Sequence, residues 1–353
     1  MFMGILALKK IFPNLHFSKG VLMILDSFAS LEILSIEFEL RVCQQVSLPS
    51  FLGTTLRGAF GQSLKLVACR LGVANCANYC TYEDFCPYDY LFETASKSAA
   101  KRLQKQQDTP NPYIVVPPPL QGTETLKKFV EGDKLVFGIK LIGKACYYLP
   151  YIINSVKDMC KTGLTVKRIP FELSQITVGI TDKKEVFQSL NNTPKPDTLK
   201  SLIESRLTSF NDPKELKIEL LTPLRLRTGR DFYVGMNDEN KLTFELLIKN
   251  LIRRFSLLEQ FHGDELSLKE TELFDKLLKE ASSVTLTNDN TYWFDTERYS
   301  NRQKARLRIG GLMGSINFRG ENLAKFLPVL LLGEHLNIGT STAFGLGRLQ
   351  ISA

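Results

Sequence analysis

The chain has 353 residues, of which 44% are hydrophobic and 23% charged, a balance that supports hydrophobic cores and excludes a low-complexity or collagen-like polymer. At roughly 150 residues per domain this length predicts two domains. Lys and Arg outnumber Asp and Glu by 45 to 37, which gives a formal net charge of +8. A positive net charge favours polyanionic ligands. No run approaches the roughly 20 apolar residues of a membrane-spanning helix, and the N-terminal segment lacks the block order of a signal peptide, so we expect a cytoplasmic protein without a membrane partner.

The first half of the chain has the pattern of one mixed α/β unit. Residues 31–42 largely alternate apolar and polar side chains, which is the period of a half-buried strand. Beyond Pro49, apolar residues recur at helical spacing as far as Val67 and predict a helix. The elements expected next are an edge strand at 113–116, a strand at 134–142, a helix at 148–159 and a strand at 165–179. The order is therefore β-α-insert-β-β-α-β.

The second half repeats this order after a polar segment. Residues 186–214 contain the runs Asn-Asn-Thr-Pro-Lys-Pro and Asn-Asp-Pro and are predicted to be a linker. The elements expected beyond it are a strand at 216–221, a helix at 244–261, a short helix at 268–280, strands at 283–294 and 305–318, a helix at 323–332 and a closing strand at 344–351. Leu-Pro pairs at 149–150 and 327–328 occupy equivalent places, which indicates an internal duplication.

These patterns predict an α+β fold of two tandem ferredoxin-like (RRM-like, βαββαβ) domains. The first spans 31–185 with a cysteine-rich insertion at 69–130, and the second spans 215–353. Residues 1–30 form an N-terminal extension that we leave unassigned. The sheet of such a unit has one open face, which RNA-recognition modules of the same topology use for nucleic acid.

Four of the seven cysteines fall within eighteen residues of the predicted insertion. Four thiolates are the ligand set of a tetrahedral structural zinc site, although this spacing is looser than paired CxxC motifs. Unliganded thiols and an iron–sulfur cluster are the alternatives. The four candidate metal ligands are Cys69, Cys76, Cys80 and Cys86.

Two windows of the second half concentrate arginine without any acidic residue. One holds Arg225, Arg227 and Arg230, and the other runs from Arg298 through Arg302 to position 308. Guanidinium groups match phosphate in a bidentate fork, and Tyr299 in the second window offers a stacking surface for a base. A solvated charged face is the alternative. We interpret both windows as candidate nucleic-acid contacts.

A glycine-rich segment joins the last predicted helix to the last predicted strand. Gly339, Gly345 and Gly347, followed by Arg348, would let main-chain N–H groups approach a phosphate without an intervening Cβ. The segment is neither a Walker motif nor a dinucleotide fingerprint. A tight turn without a ligand is the alternative.

The chain has only three histidines and no HExxH or similar pattern, so we expect no catalytic metal. His262 closes the predicted helix at 244–261. It is either a proton-transfer candidate or a histidine satisfied at a helix C-terminus.

Several of these runs together resemble one family. They are Leu-Arg-Gly-Ala-Phe-Gly at 56–61, the cysteine cluster closing in Cys-Pro-Tyr at 86–88, Arg-Tyr-Ser-Asn-Arg-Gln at 298–303 and Phe-Gly-Leu-Gly-Arg at 344–348. In this order, over residues 31–353, the sequence resembles the RAMP-superfamily endoribonucleases that process precursor CRISPR RNA.

The resemblance implies two tandem ferredoxin-like domains and a metal-independent cleavage inside each CRISPR repeat RNA. The 2′-hydroxyl attacks the adjacent phosphate and leaves a 2′,3′-cyclic phosphate and a 5′-hydroxyl. This chemistry needs a base, an acid and a cation for the charged transition state. The implied partners are CRISPR repeat RNA and other CRISPR effector subunits.

Many relatives carry a histidine on the first helix, where this sequence has only Arg57 and Lys65 as basic residues. The catalytic candidates are therefore Arg57, Lys65, His262 and Tyr299. The RNA-binding candidates are Arg225, Arg227, Arg230, Arg298, Arg302, Gly339, Gly345, Gly347 and Arg348. Two other hypotheses stay open: a non-catalytic RNA-binding RAMP subunit of a CRISPR effector complex, and a zinc-stabilised scaffold that binds protein partners.

Overall fold

The computed structural model describes most of the chain from residue 31 onward, in two units. One consists of Glu32–Asp197 with Ala343–Gly345, and the other contains Thr198–Thr342 with Leu346–Ala353. We call them the N-terminal domain and the C-terminal domain. The described residues are 31–69, 86–93, 109–120, 125–165, 168–180, 184–189, 194–229, 231–235, 242–263, 271–295, 297–300 and 305–353.

The N-terminal domain contains a main sheet with helices on one face and a separate two-stranded sheet. Its elements are β1 (Glu32–Val42), β2 (Val46–Pro49), α1 (Gly53–Ala68), α2 (Pro87–Phe92), β3 (Tyr113–Val116), β4 (Leu126–Phe129), β5 (Lys134–Ile142), α3 (Leu149–Thr162), β6 (Phe171–Val178), β7 (Glu185–Val186) and β8 (Asp197–Thr198). The main strands lie in the order β3-β5-β1-β6. Ile36 of β1 is opposite Ile139 of β5 and Val178 of β6. This order and the chain sequence β1-α1-β3-β5-α3-β6 make a ferredoxin-like unit.

Alternation along β1 decides which face of this sheet is buried. Ile36, Phe38 and Leu40 are fully buried and pack in one core with residues of α1 and α3. Glu37 and Glu39 occupy the intervening positions on the open face. The Lys134 ammonium bonds the Glu39 carboxylate at 3.1 Å and, with Ser174, lowers the pKa of that carboxyl. The open face of this domain is therefore a surface of paired charges.

The C-terminal domain repeats the arrangement. Its elements are α4 (Leu199–Leu207), β9 (Glu215–Leu224), β10 (Arg227–Thr228), β11 (Asp231–Phe232), α5 (Phe244–His262), α6 (Thr271–Ala281), β12 (Thr285–Asp289), β13 (Tyr292–Phe294), β14 (Glu297–Ser300), β15 (Ala305–Arg308), β16 (Gly311–Arg319), α7 (Leu327–Leu336) and β17 (Leu349–Ser352). The strand order β12-β16-β9-β17 is again ferredoxin-like. The predicted pair of βαββαβ domains is confirmed.

The segment 186–214, predicted as a linker, contains helix α4. Leu199, Ile203 and Leu207 are buried along one side of it, so apolar burial at helical spacing orders this stretch despite its polar composition. Arg206 of α4 also donates to the main-chain carbonyl of Ile351 at 2.7 Å, while Glu334 accepts from the Ile351 N–H at 2.6 Å. These two side chains cap the outer edge of the terminal strand, a position that would otherwise be open to strand pairing.

Three predicted strands have different bounds for local reasons. The strand predicted at 283–294 is β12 and β13, because the Asp289 carboxylate accepts from the Thr291 N–H at 2.9 Å and turns the chain. The strand predicted at 305–318 is β15 and β16, broken at Gly310, where a Cβ would lie 2.6 Å from the Trp293 ring. The closing strand begins only at Leu349, after the positive-φ glycines described below.

The predicted cysteine-rich insertion is described only in part. Within 69–130, α2, β3 and β4 are present, and β3 is a strand of the main sheet. Cys76, Cys80 and the extension at 1–30 lie outside the described residues. Among the described helices, none combines the length and apolarity needed to cross a membrane.

Candidate functional site

The segment 337–348, which we call the glycine-rich loop, joins α7 to β17 through several left-handed residues. Asn337 ends α7 with φ +56°, and Gly339, Gly345 and Gly347 have φ of +83°, +85° and +72°. A Cβ at Gly347 would collide with the carbonyl oxygen of Ile338. Glycine is therefore required at this position by both backbone conformation and space.

Hydrogen bonds close the loop on itself. The Ile338 N–H donates to the Gly347 carbonyl at 2.9 Å, and the Asn337 side-chain amide donates to the Leu346 carbonyl, also at 2.9 Å. Asn337 is only 1% exposed. The two ends of the loop are thus held together by one main-chain bond and one buried side-chain bond.

Strand β9 and the residues after it accept hydrogen bonds from the loop. The Gly347 N–H donates to the Pro223 carbonyl at 2.9 Å, and the Thr340 N–H donates to the Arg225 carbonyl at 3.0 Å. The Arg348 N–H donates to the Thr222 hydroxyl at 2.9 Å. These amides, with that of Ile338, are therefore occupied inside the protein. A ligand of this loop would have to bind other groups of the loop. The sequence-based prediction that these main-chain N–H groups contact a phosphate does not anticipate this.

Arg254, in the middle of α5, is a buried charged residue that contacts the start of the loop. Its Nε donates to the carbonyls of Leu336 and Asn337, at 2.8 and 3.1 Å, where α7 ends. Burial lowers the pKa of Arg254 to about 9, because the guanidinium loses its hydration and no carboxylate among the described residues compensates that loss. A guanidinium at a helix C-terminus satisfies carbonyls that lack intrahelical partners and faces the negative end of the helix dipole.

Two of the predicted RNA-binding arginines stack on one ring of the hairpin β10–β11. The guanidinium carbons of Arg225 and Arg227 lie 4.0 and 5.8 Å from the Phe232 ring centroid. Burial lowers the pKa of Arg225. Stacking on an aromatic face fixes the plane of a guanidinium and leaves its N–H edge for an acceptor. Arg230 lies outside the described residues.

Asn250 of α5 anchors this hairpin. Its amide oxygen accepts from the Arg227 N–H at 2.9 Å, and its amide nitrogen donates to the Arg227 carbonyl at 3.1 Å. The same nitrogen donates to the Leu246 carbonyl at 2.9 Å. One buried side chain therefore pairs with a strand residue much as a neighbouring strand would.

In the N-terminal domain, Arg57 of α1 packs over two rings. Its guanidinium carbon lies 4.8 Å from the Phe92 centroid and 4.4 Å from the Phe344 centroid. Phe344 belongs to the three loop residues, 343–345, that are part of this domain. A Cβ at Gly53, the first residue of α1, would collide with the Phe344 carbonyl oxygen, and one at Gly345 would lie 2.5 Å from the Val115 carbonyl oxygen.

Lys65 lies two turns after Arg57 on α1. Its ammonium is 5.6 Å from the Tyr88 ring, and Tyr88 stacks on Phe92 with centroids 5.5 Å apart and planes 4° from parallel. Arg57 and Lys65 thus border one aromatic cluster. Burial raises the pKa of Tyr113, a further ring of this cluster, although the nearby charge of Arg57 acts in the opposite direction.

The remaining predicted catalytic residues lie in the C-terminal domain. His262 is the last residue of α5 and is 3% exposed. Tyr299 lies in β14, which pairs with β15 so that Tyr299 is opposite Arg306 and Arg298 is opposite Leu307. Arg302 lies outside the described residues.

The comparisons with known proteins agree with this architecture. Residues 31–199 match a family model described as an N-terminal domain, and residues 218–349 match the model of the CRISPR-associated endoribonuclease Cas6. The second half of this chain is therefore similar to the Cas6 family. The Cas6 match contains the hairpin β10–β11, helix α5 and only the first residue of β17.

Solved structures share the fold at low sequence identity. Thermus thermophilus Cas6 is 11% identical, with 92% of this chain and all of that chain covered and a TM-score of 0.53. A Cas6 product complex is 13% identical, with 91% of this chain and all of that chain covered and a TM-score of 0.51. A chain of a Cas6-RT-Cas1–Cas2 complex is 12% identical, with 91% of this chain covered and a TM-score of 0.58, and the match spans 46% of its length. The sequence matches no curated protein.

Three residues of this site, Arg254, Asn250 and Phe232, are absent from the sequence-based candidates. A signal for Arg254 is present, since Leu247, Leu251, position 254 and Leu258 follow the 4-3-4 spacing of a buried helix stripe. A charged residue at a core position indicates a specific partner.

Of the predicted metal ligands, Cys69 and Cys86 are described, and both are half-buried. The described residues hold no cluster of three or more metal-ligating side chains.

Proposed function

We propose that this chain is an endoribonuclease that cleaves CRISPR repeat RNA without a metal ion and so produces mature CRISPR RNA. The observation that carries the proposal is the match of residues 218–349 to the Cas6 endoribonuclease model. In the reaction, the 2′-hydroxyl oxygen bonds to the adjacent phosphorus and the bond from phosphorus to the 5′ oxygen breaks. A base takes the 2′ proton, an acid protonates the leaving 5′ oxygen, and the product ends are a 2′,3′-cyclic phosphate and a 5′-hydroxyl.

The stacked arginines support RNA binding. Arg225 and Arg227 share the Phe232 ring, so their planes are held before RNA arrives and less side-chain entropy is lost on binding. We assign them to phosphates of the repeat, together with Arg230, Arg298, Arg302 and the surface of the glycine-rich loop. Solved Cas6 chains are described in a product complex and in a complex with Cas1–Cas2. We propose repeat RNA and other CRISPR subunits as the partners of this chain as well.

Among the catalytic candidates, Lys65 fits the role of transition-state cation best. It is half-buried at the border of the aromatic cluster, whereas Arg57 is committed to Phe92 and Phe344. His262 is 3% exposed, which separates it from solvent and from an RNA ligand in this structure. We therefore assign charge stabilisation to Lys65, a positioning contribution to Arg57 and proton transfer to Tyr299 in preference to His262.

One observation favours a second function, a non-catalytic RNA-binding subunit. Helix α1 contains no histidine, although many relatives in the family that the sequence resembles carry one there. The two functions differ only in cleavage, since both require repeat RNA binding.

Single-turnover cleavage of the repeat RNA from the protein's own CRISPR array, in excess EDTA and saturating enzyme, tests the proposal. We expect cleavage in EDTA, a loss of about 10²-fold or more in Lys65→Ala with nearly unchanged RNA affinity, and less than about 3-fold loss in His262→Gln after correction for folded fraction. Binding without cleavage would favour the non-catalytic subunit. Cleavage that stops in EDTA would contradict the metal-free mechanism.

A further inference from the structure

Arg254 occupies a position that the helix pattern reserves for an apolar side chain. It falls in the buried stripe of α5 between Leu251 and Leu258, both essentially inaccessible, and is itself 6% exposed. No carboxylate among the described residues pairs with it, and burying a guanidinium without such a partner is costly because its hydration is lost. An arginine at this position needs a specific reason.

The contacts of Arg254 supply that reason. Its Nε bonds both carbonyls at the junction of α7 and the glycine-rich loop, those of Leu336 and Asn337. A guanidinium donates in a fixed plane, so two carbonyls bonded to one Nε are held in one relative orientation. An apolar residue would leave these carbonyls, at the end of a buried helix, without that donor.

The conformation of Asn337 in turn restricts the conformation of the rest of the loop. Asn337 has φ +56°, a conformation that is uncommon for residues other than glycine. With its carbonyl fixed by Arg254, its side-chain amide reaches the Leu346 carbonyl at 2.9 Å. The next residue, Ile338, donates to Gly347. Both closing bonds of the loop thus start within one residue of the carbonyl that Arg254 holds.

We propose that Arg254 is a positioning residue that sets the conformation of the glycine-rich loop through Asn337, so that the loop meets the RNA in the geometry needed for cleavage. The second half of this statement rests on the proposed function. Arg254 acts without touching RNA, since it is only 6% exposed.

The experiment compares Arg254→Met with Arg206→Met in the full chain. Methionine is unbranched and apolar and keeps much of the side-chain volume. Arg206 is the matched control, because it also donates a guanidinium N–H to a main-chain carbonyl of this domain, that of Ile351, but at the outer edge of β17. Arg254→Lys is a third variant, which keeps the charge and loses the planar donor.

Hydrogen exchange of the 337–348 peptide and single-turnover cleavage are measured for each variant. In Arg254→Met we expect the slowest loop amides to exchange at least about 10-fold faster, as expected for loss of a hydrogen bond to a charged group. The cleavage rate constant at saturating enzyme should fall about 10-fold or more, while the RNA dissociation constant changes less than about 3-fold. Arg254→Lys should restore only part of the loop protection, and Arg206→Met should leave loop exchange and cleavage unchanged.

Each remaining outcome has a defined meaning. Equal loop exchange in Arg254→Met and Arg206→Met would overturn the proposal, and so would a cleavage loss that follows RNA affinity alone. If the wild-type protein binds repeat RNA but cleaves none, the proposed function fails. The exchange data then still decide whether Arg254 sets the loop. If Arg254→Met does not fold, the comparison is made between Arg254→Lys and wild type.

Discussion

Replacing Asn250 by leucine should destabilise the C-terminal domain by about 3 kcal/mol. Leucine has nearly the same shape, so the substitution removes hydrogen bonds without opening a cavity. Three bonds are lost, from the Arg227 N–H and to the carbonyls of Arg227 and Leu246. Each neutral hydrogen bond contributes about 1 kcal/mol net. Arg227 is half-buried, which lets water replace part of its pairing and keeps the expected loss near this value.

Urea unfolding followed by tryptophan fluorescence measures this loss. The chain has one tryptophan, Trp293 in β13 of the C-terminal domain, so the signal reports on that domain. Asn317→Leu, on the partly exposed side of β16, is the control and should change stability by less than about 0.5 kcal/mol. A loss below about 1 kcal/mol in Asn250→Leu, no more than one neutral hydrogen bond, would show that the amide does not anchor the hairpin β10–β11.

Three further predictions use other parts of the molecule. Arg227→Ala should weaken repeat RNA binding and reduce the slope of log affinity against log salt by about one unit; an unchanged slope in a salt titration would place this side chain away from phosphate. Elemental analysis should find about one zinc per chain, lost in Cys80→Ser together with a lower melting temperature; metal-free wild-type protein would end the zinc hypothesis. Burial raises the pKa of Cys146 and Cys160 to about 12, so at pH 8 alkylation should modify exposed Cys43 and spare both until the protein unfolds, and rapid native labelling of either would contradict their burial.

The sequence predicts the fold well because the fold follows from the periodicity of apolar residues and from the order of the strands and helices. The alternation in β1 and the helical spacing in α1 are read directly from apolar positions, and the βαββαβ order follows from the succession of elements. The predicted strand bounds are wrong where a local hydrogen bond turns the chain. At Asp289, for example, the carboxylate turns the chain between β12 and β13. The helix at Leu199–Leu207 is missed because its apolar residues are few and its surroundings polar.

The site is less accessible to sequence reasoning, because its organisation depends on contacts between distant residues. Nothing local to Asn337 shows that Arg254, more than eighty positions earlier, bonds its carbonyl. The same holds for Arg57, whose basic character suggests a phosphate contact but whose guanidinium packs on Phe344. The arginines at 225 and 227 are recognised by composition, whereas their shared ring, Phe232, becomes apparent only in the folded hairpin.

The central claim, that this chain cleaves repeat RNA through the substrate's own 2′-hydroxyl, is tested most directly with one modified nucleotide. Repeat RNA is incubated with the full chain in excess EDTA, the cleavage site is mapped, and the products are identified by mass. The same repeat is then prepared with a single 2′-deoxy nucleotide on the 5′ side of that site. We expect a 2′,3′-cyclic phosphate end with the natural repeat and no cleavage at the modified position. Cleavage at the 2′-deoxy position, or a product ending in a 3′-hydroxyl, would contradict it.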